Sequence, residues 1–242
     1  MRTLVLFIFL GLIVPRAGEA GSTLAGDAIL DEVVRRLPHD EINVRGEILT
    51  RRRRGIPVER WNFEAQIHWG AIPPRAFYRV FDAFGRELEA LELIRLPDGR
   101  IESDFSALRA VEDRGDTFDM QNEILGTDLT WLDMSFSFLW WRGARIQGHE
   151  DVLNRRCVVL DVPSPDNSSQ YTRLWIDEEL FMLLRAEMRG HDDEVERRMW
   201  IRSFRKIDER WFIRDMEIDK APWVRRTRLR VEEVKGFGDM DD

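Results

Sequence analysis

Residues 126–141 read GTDLTWLDMSFSFLWW, from Gly126 to Trp141, and the arrangement of the whole chain turns on this stretch. It gathers three tryptophans, two phenylalanines and three leucines between polar neighbours. Gly126-Thr127-Asp128 is a turn that leads into a helix start, because a Thr or Asp side chain can accept a hydrogen bond from the unpaired amides of a first turn. Asp133 interrupts an otherwise apolar run. The expectation is a short amphipathic helix followed by an aromatic exit strand, together covering or plugging an apolar interior built by the flanking sequence.

The flanks supply strands. From Val58 to Trp69, Trp61, Phe63, Ala65, Ile67 and Trp69 share one face while Arg60, Asn62, Glu64, Gln66 and His68 share the other, so one side faces an apolar interior and the other faces water. The same period of two runs through Ile42, Val44, Gly46 and Ile48, and resumes at Phe77–Phe81 and Leu88–Leu96. Asp82-Ala83-Phe84-Gly85 and Pro97-Asp98-Gly99 are the intervening turns. Ile101 to Phe118 is charged and less regular, and reads as short strands and loop. Beyond the central stretch, strands are expected at Ala144–Gln147, Cys157–Val162, Tyr171–Ile176, Phe181–Met188, Val195–Phe204, Trp211–Ile218 and Arg225–Val234. Turns at Pro165-Asp166-Asn167, Gly190-His191-Asp192-Asp193 and Asp208-Glu209 separate them, and Gly236 to Asp242 is a polar tail.

Ahead of the strands, Leu24, Ile29, Leu30, Val33, Val34 and Leu37 recur at three- and four-residue spacing until Pro38, which reads as an amphipathic helix from Thr23 to Leu37. Two helices and one long meander leave few ways to bury the apolar face. The fold class expected is mainly β with two helical segments: a strongly curved antiparallel sheet, an incomplete barrel, covered by helices.

Arg2, the apolar run Leu4–Val14 and the small residues Gly18 and Ala20 read as a signal peptide over 1–20, with an uncleaved anchor as the alternative. Residues 21–242 are then a single domain, soluble after export into the periplasm. Loss of Arg2, Arg16 and Glu19 changes the formal net charge from −8 to −9, which argues against nucleic acid as a partner. The basic runs Arg51–Arg54 and Arg225–Arg226 read as solvated strand faces or hairpin tips. Cys157, the one cysteine, excludes an internal disulfide and reads as a buried structural residue.

No GxSxG elbow, phosphate loop, HExxH or paired CxxC is present. His39, His149 and His191 each sit beside acids, the raw material of a metal site, but each falls in a turn, where such residues serve capping and solubility. Asn167-Ser168-Ser169 has the pattern of a glycosylation acceptor and reads as a turn. The aromatic stripe of Trp61 to Trp69 fits a packed core or a cavity wall equally well by pattern. Nine tryptophans favour the wall, since rigid amphipathic rings suit a pocket better than a small core.

Several markers recur in a fixed order: Gly126-Thr127-Asp128-Leu129-Thr130-Trp131 with Asp133-Met134, Gly148-His149-Glu150, Arg156-Cys157-Val158-Val159-Leu160, and Tyr171 with Leu174-Trp175-Ile176-Asp177. Leu184-Arg185-Ala186-Glu187, Trp211 with Met216, and Thr227 before Leu229 complete the set. In this order the chain resembles the outer-membrane lipoprotein-sorting protein family, the LolA-like periplasmic lipoprotein-carrier half barrels. The resemblance implies a half barrel lined with apolar side chains that holds lipid or lipoprotein acyl chains for transfer towards the outer membrane. It implies an inner- or outer-membrane transport partner, no catalysis, no cofactor and no metal. The cavity-lining residues expected are Trp61, Phe63, Ile67 and Trp69 on the strand, Leu129, Trp131, Leu132, Phe136 and Phe138 in the central stretch, and Trp175. Where the family tends to have a single aromatic after the capped segment, this chain has Phe136, Phe138, Trp140 and Trp141, so the resemblance does not name the cargo. A periplasmic sensor or regulatory interaction protein on the same fold is the alternative.

Overall fold

The computed structural model describes residues 17–52, 58–96, 100–108, 118–165, 170–207 and 210–236. The expected leader up to Arg16, Arg53-Arg54, the Pro97-Asp98-Gly99 turn, residues 109–117, the Asn167-Ser168-Ser169 turn, Asp208-Glu209 and the tail beyond Gly236 lie outside the described residues. The chain opens on helix α1 (Ala17–Arg35) and then runs through β1 (Ile42–Arg52), β2 (Val58–His68), β3 (Arg75–Phe81), β4 (Glu87–Arg95) and β5 (Ile101–Ala107). A short helix α2 (Trp131–Ser135) follows. The chain continues as β6 (Arg145–Val152), β7 (Arg155–Pro163), β8 (Tyr171–Asp177), β9 (Leu183–Arg189), β10 (Val195–Ile207), β11 (Arg210–Lys220) and β12 (Arg225–Gly236).

These strands form one 12-stranded antiparallel sheet in the order β5-β4-β3-β2-β1-β12-β11-β10-β9-β8-β7-β6, with β5 and β6 as its two edges. The expected single meander is in fact two. One runs from β1 to β5 and the other from β6 to β12, and the last strand returns to pair with the first, Ile42 opposite Gly236 and Arg52 opposite Arg225. The register slips between Arg45 and Gly46. Only glycine fits there, because a Cβ on Gly46 would lie 2.0 Å from the Arg230 carbonyl oxygen.

Strand alternation decides which side chains go inside. Val44, Ile48, Phe63, Ala65, Tyr78, Val80, Leu91, Leu93, Leu160, Leu174, Ile176, Met199, Ile201, Met216 and Ile218 all join one core on the concave face. Helix α1 buries Leu30 and Val33 against it. The helix lies against β6, where a Cβ on Gly26 would meet the Ala144 carbonyl oxygen at 2.2 Å. The Asp27 carboxylate fastens the contact by accepting from the amides of Gly143 and Ala144 at 3.0 and 2.9 Å.

The helix start expected after the Gly126-Thr127-Asp128 turn is capped by Thr130: Thr130 Oγ1 accepts from the Asp133 amide at 3.2 Å and Asp133 Oδ2 from the Thr130 amide at 3.1 Å, a capping box. The central stretch differs from expectation in two respects. The helix is not amphipathic, since every residue from Trp131 to Ser135 is buried. The aromatic exit is not a strand but a 3-10 turn, Ser137–Trp140. Phe136, in the left-handed region at φ 50, ends the helix. A strand crossing the concavity would leave its backbone groups unpaired. The tight turn pairs them locally instead, with the Leu139 amide donating to the Phe136 carbonyl at 3.0 Å and Trp141 to Phe138 at 3.3 Å.

Candidate ligand-binding cavity

An open sheet curved around one long and one short helix leaves space where the covering elements stop. Between the end of α1, strands β1 to β3, α2 with its 3-10 turn, the β8–β9 loop and strands β10 to β12 lies a cavity of about 390 Å3. That falls within the roughly 300–1,000 Å3 of small-molecule sites. Phe63, Ala65 and Ile67 from β2, Trp69 just after it, Tyr78 from β3, Phe136, Leu139 and Trp140 from the central stretch, and Met216, Leu229 and Val231 from the C-terminal strands supply much of its wall. Among the described residues that line it there is no carboxylate; the cations are Arg36 and Arg210.

Arg36 and Arg210 tie the rim. Arg36 Nη1 donates to the Leu180 carbonyl at 3.1 Å, and its guanidinium carbon stands 4.5 Å over the Phe181 ring. This joins the end of α1 to the β8–β9 loop. Arg210 pairs with Asp40 at 2.8 Å, joining the start of β11 to the segment that follows α1. Trp211, also at the rim, is 48% exposed.

The expected lining residues fall into two groups. Phe63, Ile67, Trp69 and Phe136 line the cavity. Leu129, Trp131, Leu132, Phe138, Trp61 and Trp175 do not, and packing gives the reason in each case. Trp131 and Leu129 are fully buried, with the Trp131 ring edge-on to Phe105 of β5 at 5.9 Å. Leu132 and Phe138 face β8 to β10 across a void of only about 10 Å3. Trp61 is a half-buried neighbour of the core opposite Ile48, displaced along β2 from the cavity. Trp175 is on the outer face: Leu174 and Ile176 take the inward positions of β8, and Trp175 packs with Cys157, Val159 and Leu184. Its indole Nε1 donates to Glu150 at 2.8 Å, and Arg185 covers the ring at 4.2 Å.

Tyr78, Leu139, Trp140, Met216 and Leu229 are lining residues that the sequence reading missed, although Met216 and Leu229 stood among the family markers. Tyr78 and Trp140 carried a usable signal, since Tyr78 is in phase with the inward face of its strand.

The family markers meet in space as scaffold. Thr227 Oγ1 accepts from the Asp128 amide at 3.0 Å and touches Thr50 Oγ1 at 3.1 Å, so a turn of the central stretch is pinned to residues on β12 and β1. Burial raises the Asp128 carboxyl above its ordinary range, partly opposed by Arg225. Asp133 pairs with Arg197 of β10 at 3.1 Å, both side chains almost fully buried. On the outer face, burial and then the charge of Asp177 push the Cys157 thiol up to about 11, which keeps it protonated and poorly nucleophilic at neutral pH. The histidines serve surface roles: His39 Nε2 lies 3.3 Å from the Arg35 carbonyl, and His149 stands 3.1 Å from Glu178. Among the described residues no group of three His, Cys, Asp or Glu side chains is placed to hold a metal ion. Among them also, no helix is long and apolar enough to cross a membrane.

Three solved structures share this architecture. A DUF1329 family protein from Desulfovibrio piger superposes with a TM-score of 0.68 at 12% identity, covering 91% of this chain and 95% of that one. A protein described as an outer membrane lipoprotein-sorting protein domain, from Vibrio parahaemolyticus, gives 0.67 at 12% identity, with 91% and 95% covered. A LolA superfamily protein from Nitrosomonas europaea gives 0.61 at 14% identity, with 87% and 92% covered. At such identities the likeness establishes the fold. No curated protein matches the sequence. Residues 112–242 match the model of a family described as "Uncharacterized protein", and the chain belongs to that family, on the fold of the LolA superfamily and the lipoprotein-sorting domains.

Proposed function

We propose that this protein is a periplasmic carrier that takes acyl chains, of a lipoprotein or of another lipid, into the cavity and shields them for transfer towards the outer membrane. The observation that carries the reading is the cavity of about 390 Å3, walled by aromatic and aliphatic side chains and open at a rim rather than filled. Each methylene moved from water into such a wall contributes roughly 0.8 kcal/mol. Phe63, Ile67, Trp69 and Phe136 are the contacts from the expected set, joined by Tyr78, Leu139 and Trp140. The reading places residues 1–20 as a cleaved leader and 21–242 as one domain, needs a membrane-bound donor or acceptor, and assigns no catalytic residue and no cofactor.

The test is to purify the protein, extract it with organic solvent and identify the extracted molecules by mass spectrometry, then titrate lipid against tryptophan fluorescence. Trp69 and Trp140 stand in the wall and Trp211 at the rim, so occupation should change the emission. A co-purifying lipid and a saturable spectral response are expected. Absence of both overturns the reading, and a stable protein partner recovered in place of lipid points to a regulatory interaction protein.

A further inference from the structure

One charge beside the cavity has no counter-charge among the described residues. Arg95, at the end of β4, is 7% exposed. Among the described residues it forms no ion pair, and its Nε has no hydrogen-bond partner. Its one side-chain hydrogen bond is a long one, from Nη2 to Ser137 Oγ at 3.3 Å. The guanidinium carbon lies 3.6 Å from the centre of the Trp140 ring and 5.4 Å from that of Trp69, two rings that lie 5.0 Å apart. An isolated cation removed from water is costly unless it is paired, and cation–π contact returns only part of that cost. Burial lowers the Arg95 guanidinium to about 10, with Tyr78 acting in the opposite sense, so it stays charged at neutral pH.

The position makes the missing partner informative. Trp69, Trp140 and Tyr78 border the cavity, and Ser135, another wall residue, is joined through its Oγ to Ser137 Oγ at 2.7 Å. The guanidinium therefore stands directly behind the aromatic wall, with the Ser137 hydroxyl beside it able to turn from Ser135 Oγ to an anion, while Ser135 Oγ itself donates to the Trp131 carbonyl at 2.8 Å. Among the described residues no carboxylate pairs with it: the other inward positions near the end of β4 and on β3 are Leu91, Leu93, Ala76 and Tyr78. A guanidinium presents paired N–H donors that match the two oxygens of a carboxylate or of a phosphate.

We infer that Arg95, with Ser137, forms an anion site at the inner wall of the cavity, and that the cargo is an amphiphile whose anionic oxyacid head group pairs with Arg95 while its chain lies along Phe63, Ile67 and Phe136. This rests on the proposed carrier function and specifies its ligand class. Arg95 is a binding residue in this scheme, and Trp69 and Trp140 position it. The head group reaches it by displacing the Trp140 ring, whose 3-10 turn is held to the sheet by side-chain packing rather than by a strand ladder.

The experiment compares chain-matched probes on the full protein at neutral pH by tryptophan fluorescence and by displacement calorimetry: hexadecanoate, hexadecyl phosphate and uncharged hexadecanol. Hexadecanoate or hexadecyl phosphate should bind roughly tenfold or more tightly than hexadecanol, the size expected of a charge-assisted hydrogen bond. Whichever acid binds more tightly names the head group. Arg95→Met should remove that preference while leaving hexadecanol binding in place, which also shows that the variant is folded, and Arg95→Lys should restore part of it. Equal affinity of the wild-type protein for acid and alcohol, or a preference that survives Arg95→Met, overturns the anion site and leaves the carrier reading standing. If none of the three probes binds, the carrier reading itself fails, and the anion site with it.

Discussion

Two arginines are buried on opposite flanks of the central stretch, and they differ in one respect. Arg197, from β10, faces Asp133 at 3.1 Å, and the same carboxylate oxygen also accepts from the amide and the hydroxyl of Thr130. Arg95, from β4, faces tryptophan rings and a serine hydroxyl. The first flank is filled, with a residual void of about 10 Å3, and the second opens on a cavity of about 390 Å3. The difference teaches that the stretch is not a uniform lid. It is a wedge, anchored by an ion pair where the interior is solid and bordering a cavity where the interior is open.

The largest effect expected is from breaking the anchor. Arg197→Met leaves Asp133 buried without its partner and should destabilise the protein by about 3–5 kcal/mol in denaturant unfolding, with much of the loss recovered when Asp133→Asn is added. A loss under about 1 kcal/mol would show that the pair is not an anchor. Trp131→Ala should cost a similar amount, about 3–5 kcal/mol, because it opens a hole in a closed core. Trp69→Ala should cost less than half of that and instead weaken lipid binding; equal losses at the two sites would remove the contrast between filled and open flanks. Thr130→Ala, which deletes one half of the capping box, should cost about 0.5–2 kcal/mol without changing lipid affinity.

Acid should reveal the outer face before the cavity. Burial alone would raise the carboxyls of Asp177, Glu187 and Asp215, but Arg155 with the amides of Leu180 and Glu179, then Arg185 with Arg189, then Ser203 with Arg228 and Arg230, outweigh it and hold all three below their ordinary range. Their stabilisation is therefore fully present above the ordinary carboxylate range of about pH 4 and fades as the pH falls through the lower folded values. Thermal scans should show a fall in stability below about pH 4, steeper in the wild type than in Glu187→Gln. The smallest stability effect belongs to Arg95→Met: within about 1 kcal/mol, or stabilising, since it removes an unpaired buried charge.

Strand positions were legible because apolar and polar residues alternate in them, as in Trp61, Phe63, Ala65 and Ile67, and that alternation is a local property. The turn at Gly126-Thr127-Asp128 and the helix start after it were legible, but not which residue caps the helix, because Thr127, Asp128 and Thr130 are all capping types. Thr127 and Asp128 belong to the turn, and Asp128 is committed to Thr227 on β12. Trp175 was assigned inward because apolar residues flank it on both sides in β8, and β8 is buried on both of its faces. The family markers led to the right fold but away from the cavity, since most of them hold turns, outer-face packing and the wedge rather than the ligand wall. Arg95 carried no signal, because an arginine at the end of a strand reads as a solvated charge.

The sequence by itself determined the kind of structure: period-two strands with one apolar face, a leading amphipathic helix and an aromatic stretch that had to be buried. These follow from backbone geometry and the transfer of apolar side chains out of water, both of which act over a few residues. Only the tertiary structure decided that β12 closes onto β1, that Trp131 and Phe138 fill the interior while Trp69 and Trp140 wall a cavity, and that Arg197 has a carboxylate partner where Arg95, among the described residues, has none. Those outcomes depend on which distant strands share a face and on how much volume the curved sheet leaves between them, and neither quantity is carried by any single stretch of the chain.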